Sequence, residues 1–132
     1  MSLQATKGTG IEVALRSELH RRGLRFRLHR RILPGTSREI DIVLPASRVA
    51  VSVFGCWWHG CPEHFSQPKR NAEWWAAKIA SNVARDADTA RRLVELDWTP
   101  IEVWEHESPV AAADRVVDGV RSSRAVRVRA PR

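Results

Sequence analysis

The chain has 132 residues, enough to bury a core in one domain without support from disulfides. Its hydrophobic fraction of 43% predicts a folded globule, and its formal net charge is +7. No apolar run approaches the roughly 18 residues of a membrane span, and residues 1–10 lack the apolar stretch of a secretory signal. We therefore expect a cytoplasmic protein that does not enter membranes.

The positive charge comes almost entirely from arginine, because only Lys7, Lys69 and Lys78 are lysines. Contacts between guanidinium groups and phosphates give affinity for nucleic acid without sequence readout, so the charge predicts a nucleic acid partner. Genomic base composition is the alternative explanation for such arginine usage.

The hydrophobic pattern predicts seven elements in the order αβββαβα. This order is typical of an α/β fold in which helices flank a mixed sheet. We expect one domain over residues 1–120 and a basic tail over 121–132 that is flexible or orders only on nucleic acid. The first helix is predicted at 9–22. The strand that follows has Leu24, Phe26 and Leu28 facing inward and Arg25, Arg27 and His29 facing outward. The remaining predicted elements are an antiparallel pair of strands at 40–44 and 49–54, a helix at 71–96, a strand at 101–104 and a helix at 110–120.

Two acids fall at positions that the pattern marks as buried. Asp41 shares a strand face with Val43 by the period of two, and Asp86 lies within an apolar stripe of the long helix. That stripe comprises Trp75, Ile79, Val83, Ala90 and Leu93. A buried carboxylate needs a partner or a metal, although Asp41 could also reach solvent at a strand end.

The segment from residue 53 to residue 64 combines two thiols, two imidazoles and two indoles. In a reducing compartment, Cys56 and Cys61 are expected to be metal ligands or free thiols in preference to a disulfide. Such a mixture of metal ligands, a proton-transfer group and flat stacking surfaces indicates a functional site.

Motifs in separate segments resemble the very-short-patch repair (Vsr) endonucleases. They are Asp41 on its strand, the Gly-Cys-Trp-Trp-His-Gly-Cys run at 55–61, Glu73-Trp-Trp75, Lys78-Ile79, Asn82, Arg85-Asp86 and Trp104-Glu-His106. The resemblance implies a restriction-endonuclease-like fold and a Mg²⁺-dependent enzyme that nicks DNA at T:G mismatches left by deamination of 5-methylcytosine. It implies double-stranded DNA as the partner, and we expect a monomer that associates with the nucleoid when bound. A catalytically inactive, zinc-stabilised DNA-binding module and a nuclease of this fold in a restriction or defence system are the alternatives.

The resemblance also implies the catalytic residues. It makes Asp41 and the main-chain carbonyl of Val53 ligands of Mg²⁺ and makes His59 the catalytic histidine. Asp86 matches the acid that orients this histidine, and Glu12 matches an acid that assists the metal. An Asp–His pair and a cation held by oxygen ligands suit phosphodiester hydrolysis on chemical grounds as well. Glu12 could instead be an ordinary first-turn acid that the helix dipole favours.

A structural zinc site is predicted from four nitrogen and sulfur ligands. Cys56, Cys61 and His64 are close in sequence, and His106 follows the 101–104 strand. Structural zinc binds four such ligands in a closed tetrahedron, and the family has a zinc site in this loop. The alternatives are buried free thiols with surface histidines, or His59 as the fourth ligand.

Aromatic residues complete the predicted site. The resemblance implies that Trp57, Trp58 and Trp75 wedge into the duplex beside the mismatch, where unstacking costs least. Core packing is the alternative for each, most of all for Trp75 on the inward stripe. Phe54 departs from the family, which usually has a polar or acidic residue before Gly55.

Overall fold

The computed structural model describes residues 10–55 and 70–129, with side chains as far as residue 123. The seven elements follow the predicted order, and apart from the end of the last helix their bounds lie within a few residues of the predicted ones. They are α1 (Gly10–Arg21), β1 (Arg27–Arg30), β2 (Ile40–Leu44), β3 (Val49–Phe54), α2 (Ala72–Glu95), β4 (Thr99–Trp104) and α3 (Pro109–Arg129).

The strands form one mixed sheet in the order β1-β2-β3-β4. The β1–β2 and β2–β3 pairs are antiparallel, so the predicted antiparallel pair is confirmed. The β3–β4 pair is parallel, and its connection carries α2, as a parallel crossover requires. The α/β class with a mixed sheet is therefore confirmed.

Helices cover both faces of the sheet because strand residues alternate between the faces. On one face, α1 and α3 pack on the sheet through Leu15, Leu19, Ile42, Val51, Val103 and Val116. On the other, Leu93 of α2 joins a smaller cluster of Leu33, Ile40, Val43 and Ala50. Hydrogen bonds add to this packing, since Arg22 donates to Asp114 at 2.7 Å and Arg115 donates to the Glu102 carbonyl of β4 at 2.6 Å.

Two predicted features of the helices are corrected. Val83 was expected to face inward, but its side chain is 44% exposed, and the buried positions of α2 are Ile79 and Leu93. The closing helix was expected to end at residue 120, but α3 continues to Arg129. The flexibility of the 121–132 tail stays a prediction. The apolar stripe of α3 reaches Val120, and the Ser123 hydroxyl then donates to the Ser47 carbonyl, which continues the packing.

The first strand also differs from its prediction. β1 begins at Arg27, and the preceding Leu24 and Phe26 are partly buried against the larger cluster without being in the strand. Among the described residues, no helix has the length and apolar character needed to cross a membrane.

Candidate active site

The sheet opens where β2 and β3 separate. Their backbone pairing runs from Leu44↔Val49 to Ile42↔Val51, and beyond the last pair it is the Asp41 side chain that contacts β3. The Asp41 Oδ2 accepts a hydrogen bond from the Val53 N–H at 2.7 Å. Because the N–H and C=O of one strand residue point to the same side, the Val53 carbonyl is directed to the side on which Asp41 lies.

Glu12 in the first turn of α1 is fully buried, with 0% exposure. Burial distinguishes Glu12 from an exposed first-turn acid, while its place in the first turn is still one that the helix dipole favours. Its Oε2 lies 3.7 Å from the Arg16 guanidinium, one turn further along α1. A carboxylate removed from water so completely is costly unless charged or polar groups surround it.

His29 joins these two acids. Its Nε2 lies 3.2 Å from the Glu12 Oε2, and its Nδ1 lies 3.7 Å from the Asp41 Oδ1. The alternation of the first strand predicts His29 on its outer face with Arg25 and Arg27. The structure turns it inward because its φ of 52° is left-handed, which breaks the alternation of the strand. The β1–β2 register brings it opposite Asp41, between the pairs Leu28↔Ile42 and Arg30↔Ile40.

A groove of about 590 Å³ runs from Asp41 to α2. Asp41 and Val53 line it from the sheet, and Arg85 and Asp86 line it from the helix. Asp86 is half-buried, so it faces the groove from α2 as its place on the helical stripe indicated. The structure thus brings Asp41 and Asp86 to one groove.

Arg38 lines this groove where the segment before β2 meets α2, and it pairs there with Asp88. Arg38 donates to Asp88 at 2.8 Å and to the Thr89 hydroxyl at 3.0 Å. Asp88 also accepts hydrogen bonds from Arg91 and Arg92 of its own helix. The Arg38 hydrogen bond is the largest cause that lowers the pKa of Asp88, to about 2, and the same carboxylate raises the pKa of Arg91.

Phe54, at the end of β3, packs as a core residue at the edge of the groove. It is 8% exposed and meets Trp104 of β4 edge to face, with ring centroids 5.2 Å apart. Apolar packing therefore accounts for a hydrophobic residue at this position.

Part of the predicted site lies outside the described residues. This holds for the histidine His59, for the ligands Cys56, Cys61 and His64, and for the indoles Trp57 and Trp58. Within residues 10–55 and 70–129, no group of three or more His, Cys, Asp or Glu is arranged to hold a metal ion. Three of the four predicted zinc ligands fall outside those ranges, so the zinc site stays a prediction.

The remaining predicted residues are placed by the structure. His106 is exposed just after β4. Trp75 is half-buried and meets Trp74 edge to face, with centroids 4.6 Å apart, and Trp74 is 59% exposed. The two indoles thus form an aromatic pair near the start of α2, with one ring open to solvent.

The donors around Asp41 fit a hard divalent cation. Asp41 supplies carboxylate oxygens, and Val53 supplies a peptide held against that carboxylate by the 2.7 Å hydrogen bond. Oxygen ligands of this kind are those that Mg²⁺ prefers. Carboxylate and peptide oxygens at the splayed end of a mixed sheet are the kind of groups that metal-dependent hydrolysis uses.

Comparison with known proteins gives the family. The sequence model described as "DNA mismatch endonuclease Vsr" matches residues 1–64. The chain is 40% identical over 120 residues to the type II nicking enzyme V.NaeI of Lentzea aerocolonigenes, covering 89% of this chain and 72% of that protein. It is 44% identical over 103 residues to the type II nicking enzyme V.XorIIP of Xanthomonas oryzae pv. oryzae, covering 77% and 74%. It is 39% identical over 102 residues to the DNA mismatch endonuclease Vsr of Escherichia coli, covering 76% and 64%. The chain therefore belongs to the Vsr endonuclease family, as the sequence motifs indicated.

Proposed function

We propose that this protein is a Mg²⁺-dependent DNA endonuclease that nicks one strand at T:G mismatches, such as those left by deamination of 5-methylcytosine. The observation that carries the proposal is the Asp41 carboxylate beside the Val53 peptide, with buried Glu12 reached through His29. Membership of the Vsr family supports the nicking of DNA.

Asp41 and the Val53 carbonyl would hold the Mg²⁺, and Glu12 would assist from α1. When bound there, the cation would stabilise negative charge that develops on the phosphate during cleavage. His59, oriented by Asp86, would take a proton from the attacking water. The water oxygen then bonds to phosphorus as one phosphorus–oxygen bond to a sugar breaks.

Preference for the mismatch would come from the indoles. Trp57 and Trp58 would enter the duplex, with Trp75 beside them, and the cost of partial unstacking is smallest where a base pair is already wrong. The arginines would supply affinity for any duplex, and this affinity should fall as salt rises.

A second candidate is a nicking enzyme of the same fold with another specificity, in a restriction or defence system. The names of two relatives favour it, because both are called type II nicking enzymes. The two candidates differ in one measurable property, the ratio of cleavage at mismatched and matched sites.

The test is a nicking assay on labelled T:G and C:G duplexes at fixed salt, with Mg²⁺ and with EDTA. We expect Mg²⁺-dependent nicking of one strand at the T:G site, and Asp41→Ala should abolish it while DNA binding persists. Asp118→Ala is the matched control, because Asp118 is an exposed acid on α3 away from the groove.

Each result has a defined meaning. Equal rates on both duplexes would contradict the repair function and favour the second candidate. Nicking by Asp41→Ala at the parent rate would place the active site elsewhere. Binding of both duplexes by the parent without any nicking would identify an inactive DNA-binding module.

A further inference from the structure

We infer that His29 is a positioning residue of the candidate active site, which holds the carboxylates of Glu12 and Asp41 in the geometry that receives the divalent cation. The inference rests on the Mg²⁺ chemistry proposed above. It adds a residue of β1 to a site otherwise built from α1, α2, β2 and β3.

The first support is the position of the imidazole between the two acids. One ring nitrogen lies 3.2 Å from Glu12 and the other lies 3.7 Å from Asp41. The Val53 N–H holds the second oxygen of Asp41 at 2.7 Å. Asp41 is therefore held by the β3 backbone at one oxygen, and its other oxygen faces the His29 ring at 3.7 Å.

The second support is the backbone at His29. A residue other than glycine at a φ of 52° is uncommon, and such a conformation persists only where the surroundings determine it. In an ordinary strand conformation, His29 would point to the face that Arg27 occupies. The left-handed conformation is what brings its ring to the buried Glu12 carboxylate.

The third support is electrostatic. Glu12 is fully buried and Asp41 is only 22% exposed, so their charges are poorly screened by water. Two carboxylates that converge without a group between them repel each other and separate. The His29 ring occupies the space between them, with Nε2 3.2 Å from Glu12 and Nδ1 3.7 Å from Asp41. Loss of a group that orients metal ligands typically changes metal affinity or activity about 10- to 100-fold.

The experiment measures divalent cation binding without DNA. Mn²⁺ replaces Mg²⁺ as a spectroscopic probe, and its free concentration is followed by electron paramagnetic resonance in a titration of the full chain. We expect His29→Ala to weaken Mn²⁺ binding about 10-fold or more. We also expect its lost nicking to recover partly at high Mg²⁺, because the defect lies in binding the cation.

Two conservative variants separate the ring from the backbone. Gln places an amide near the position of Nε2, so His29→Gln should still reach Glu12 and retain most of the affinity. Asn places an amide near Nδ1 and readily adopts left-handed backbone, so His29→Asn should keep the backbone but lose Glu12. The expected order of Mn²⁺ affinity is parent, then Gln, then Asn, then Ala.

The outcomes distinguish this inference from the proposed function. A parent that binds Mn²⁺ but nicks neither duplex would contradict the function, whereas the affinity order would still support the role of His29. Unchanged or tighter Mn²⁺ binding by a folded His29→Ala would overturn the role of His29 alone. If His29→Ala does not fold, equal affinities of the Gln and Asn variants would overturn it. A parent without measurable Mn²⁺ binding would overturn both.

Discussion

The packing around the Phe54 side chain determines which substitutions the protein tolerates at this position. It is 8% exposed and rests edge to face on Trp104, so the end of β3 is anchored to β4 by an aromatic contact. Aromatic pairs of this geometry contribute about 0.5–1.5 kcal/mol beyond the area they bury. The same strand end carries the Val53 peptide that contacts Asp41. Packing at Phe54 therefore supports the geometry of the candidate active site.

We predict that Phe54→Asp lowers stability without raising nicking activity. Removal of a buried Phe ring costs about 3–5 kcal/mol, and an unpaired carboxylate in its place adds to the loss. Thermal unfolding and the Mg²⁺-dependent nicking rate are the measurements. Phe54→Leu is the control, because it keeps an apolar side chain and should lose much less. A variant with an unchanged Tm and a faster rate would show that an acid is accommodated there.

Single residues also show where sequence reasoning reaches its limit. Asp41 is recognisable because an acid interrupts a strongly apolar strand. The residue pattern alone does not single out Glu12, because a first-turn acid has a helix-dipole explanation. The family resemblance named it, and only the structure reveals its complete burial. His29 is missed because the alternation of the strand places it on the outer face. The sequence gives no sign of a left-handed backbone there other than the tolerance of His for that conformation.

At the scale of elements, α2 connects the groove to the segment before β2 through Asp88. The Asp88 carboxylate accepts hydrogen bonds from Arg38 of that segment and from Arg91 and Arg92 of its own helix. The hydrogen bond between Arg38 and Asp88, which are 50 positions apart in sequence, thereby joins the ion pairs within the helix. The network fixes one wall of the groove relative to the sheet.

We predict that Asp88→Asn is less stable than the parent at pH 7 and that the difference shrinks as the pH falls from about 4 to about 2. The pKa of Asp88 is lowered to about 2, from the value near 3.9 of an unfolded chain. A group with a lowered folded pKa stabilises the protein above its unfolded pKa, and this contribution is lost as the pH falls through the folded pKa. Urea unfolding of both proteins across this range measures the difference.

Glu95→Gln provides the matched control for this prediction. Glu95 is an exposed acid on the same helix that pairs with Arg91 alone among the described side chains, at 3.0 Å. Exposed pairs of this kind contribute little, so the control should stay close to the parent at every pH. A constant difference between Asp88→Asn and the parent from pH 7 to pH 2 would contradict the assigned cause.

The elements themselves were largely predictable, because each has a clear period. Strands β2 and β3 match their predicted bounds, and only the pairing of β4 with β3 required the fold. The predicted stripe of α2 fails at Val83 because helical periodicity does not reveal how far a packing partner extends. The predicted end of α3 falls too early because a run rich in arginine carries little hydrophobic signal. The helix continues past that point, and Ser123 donates a hydrogen bond to the Ser47 carbonyl.

At the scale of the whole molecule, the predicted zinc site would join the 56–64 segment to the end of β4. His106 supplies the described end of that connection. Structural zinc contributes to folding directly, because its ligands come together only in the folded chain. Such a link would hold the segment that carries His59 and the indoles close to the sheet.

We predict that about one zinc per chain co-purifies with the protein, and that Cys61→Ser loses it together with much of the stability. His106→Asn should also lower zinc content. The matched control is His20→Asn, because His20 is likewise an exposed histidine, placed in the last turn of α1. Elemental analysis and thermal unfolding are the measurements. A folded, active preparation free of zinc would refute the site.

The two outer strands of the described sheet have a consequence for the behaviour of the protein in concentrated solution. An open strand edge is a template on which another chain can add, which leads to aggregation. Here β1 is only four residues long and has exposed arginines at both ends, Arg27 and Arg30. On the opposite side, Pro100 of β4 has no N–H to offer, and the Arg115 guanidinium already occupies the Glu102 carbonyl. Charge, proline and a side-chain cap therefore protect both edges, so the sheet resists growth by strand addition.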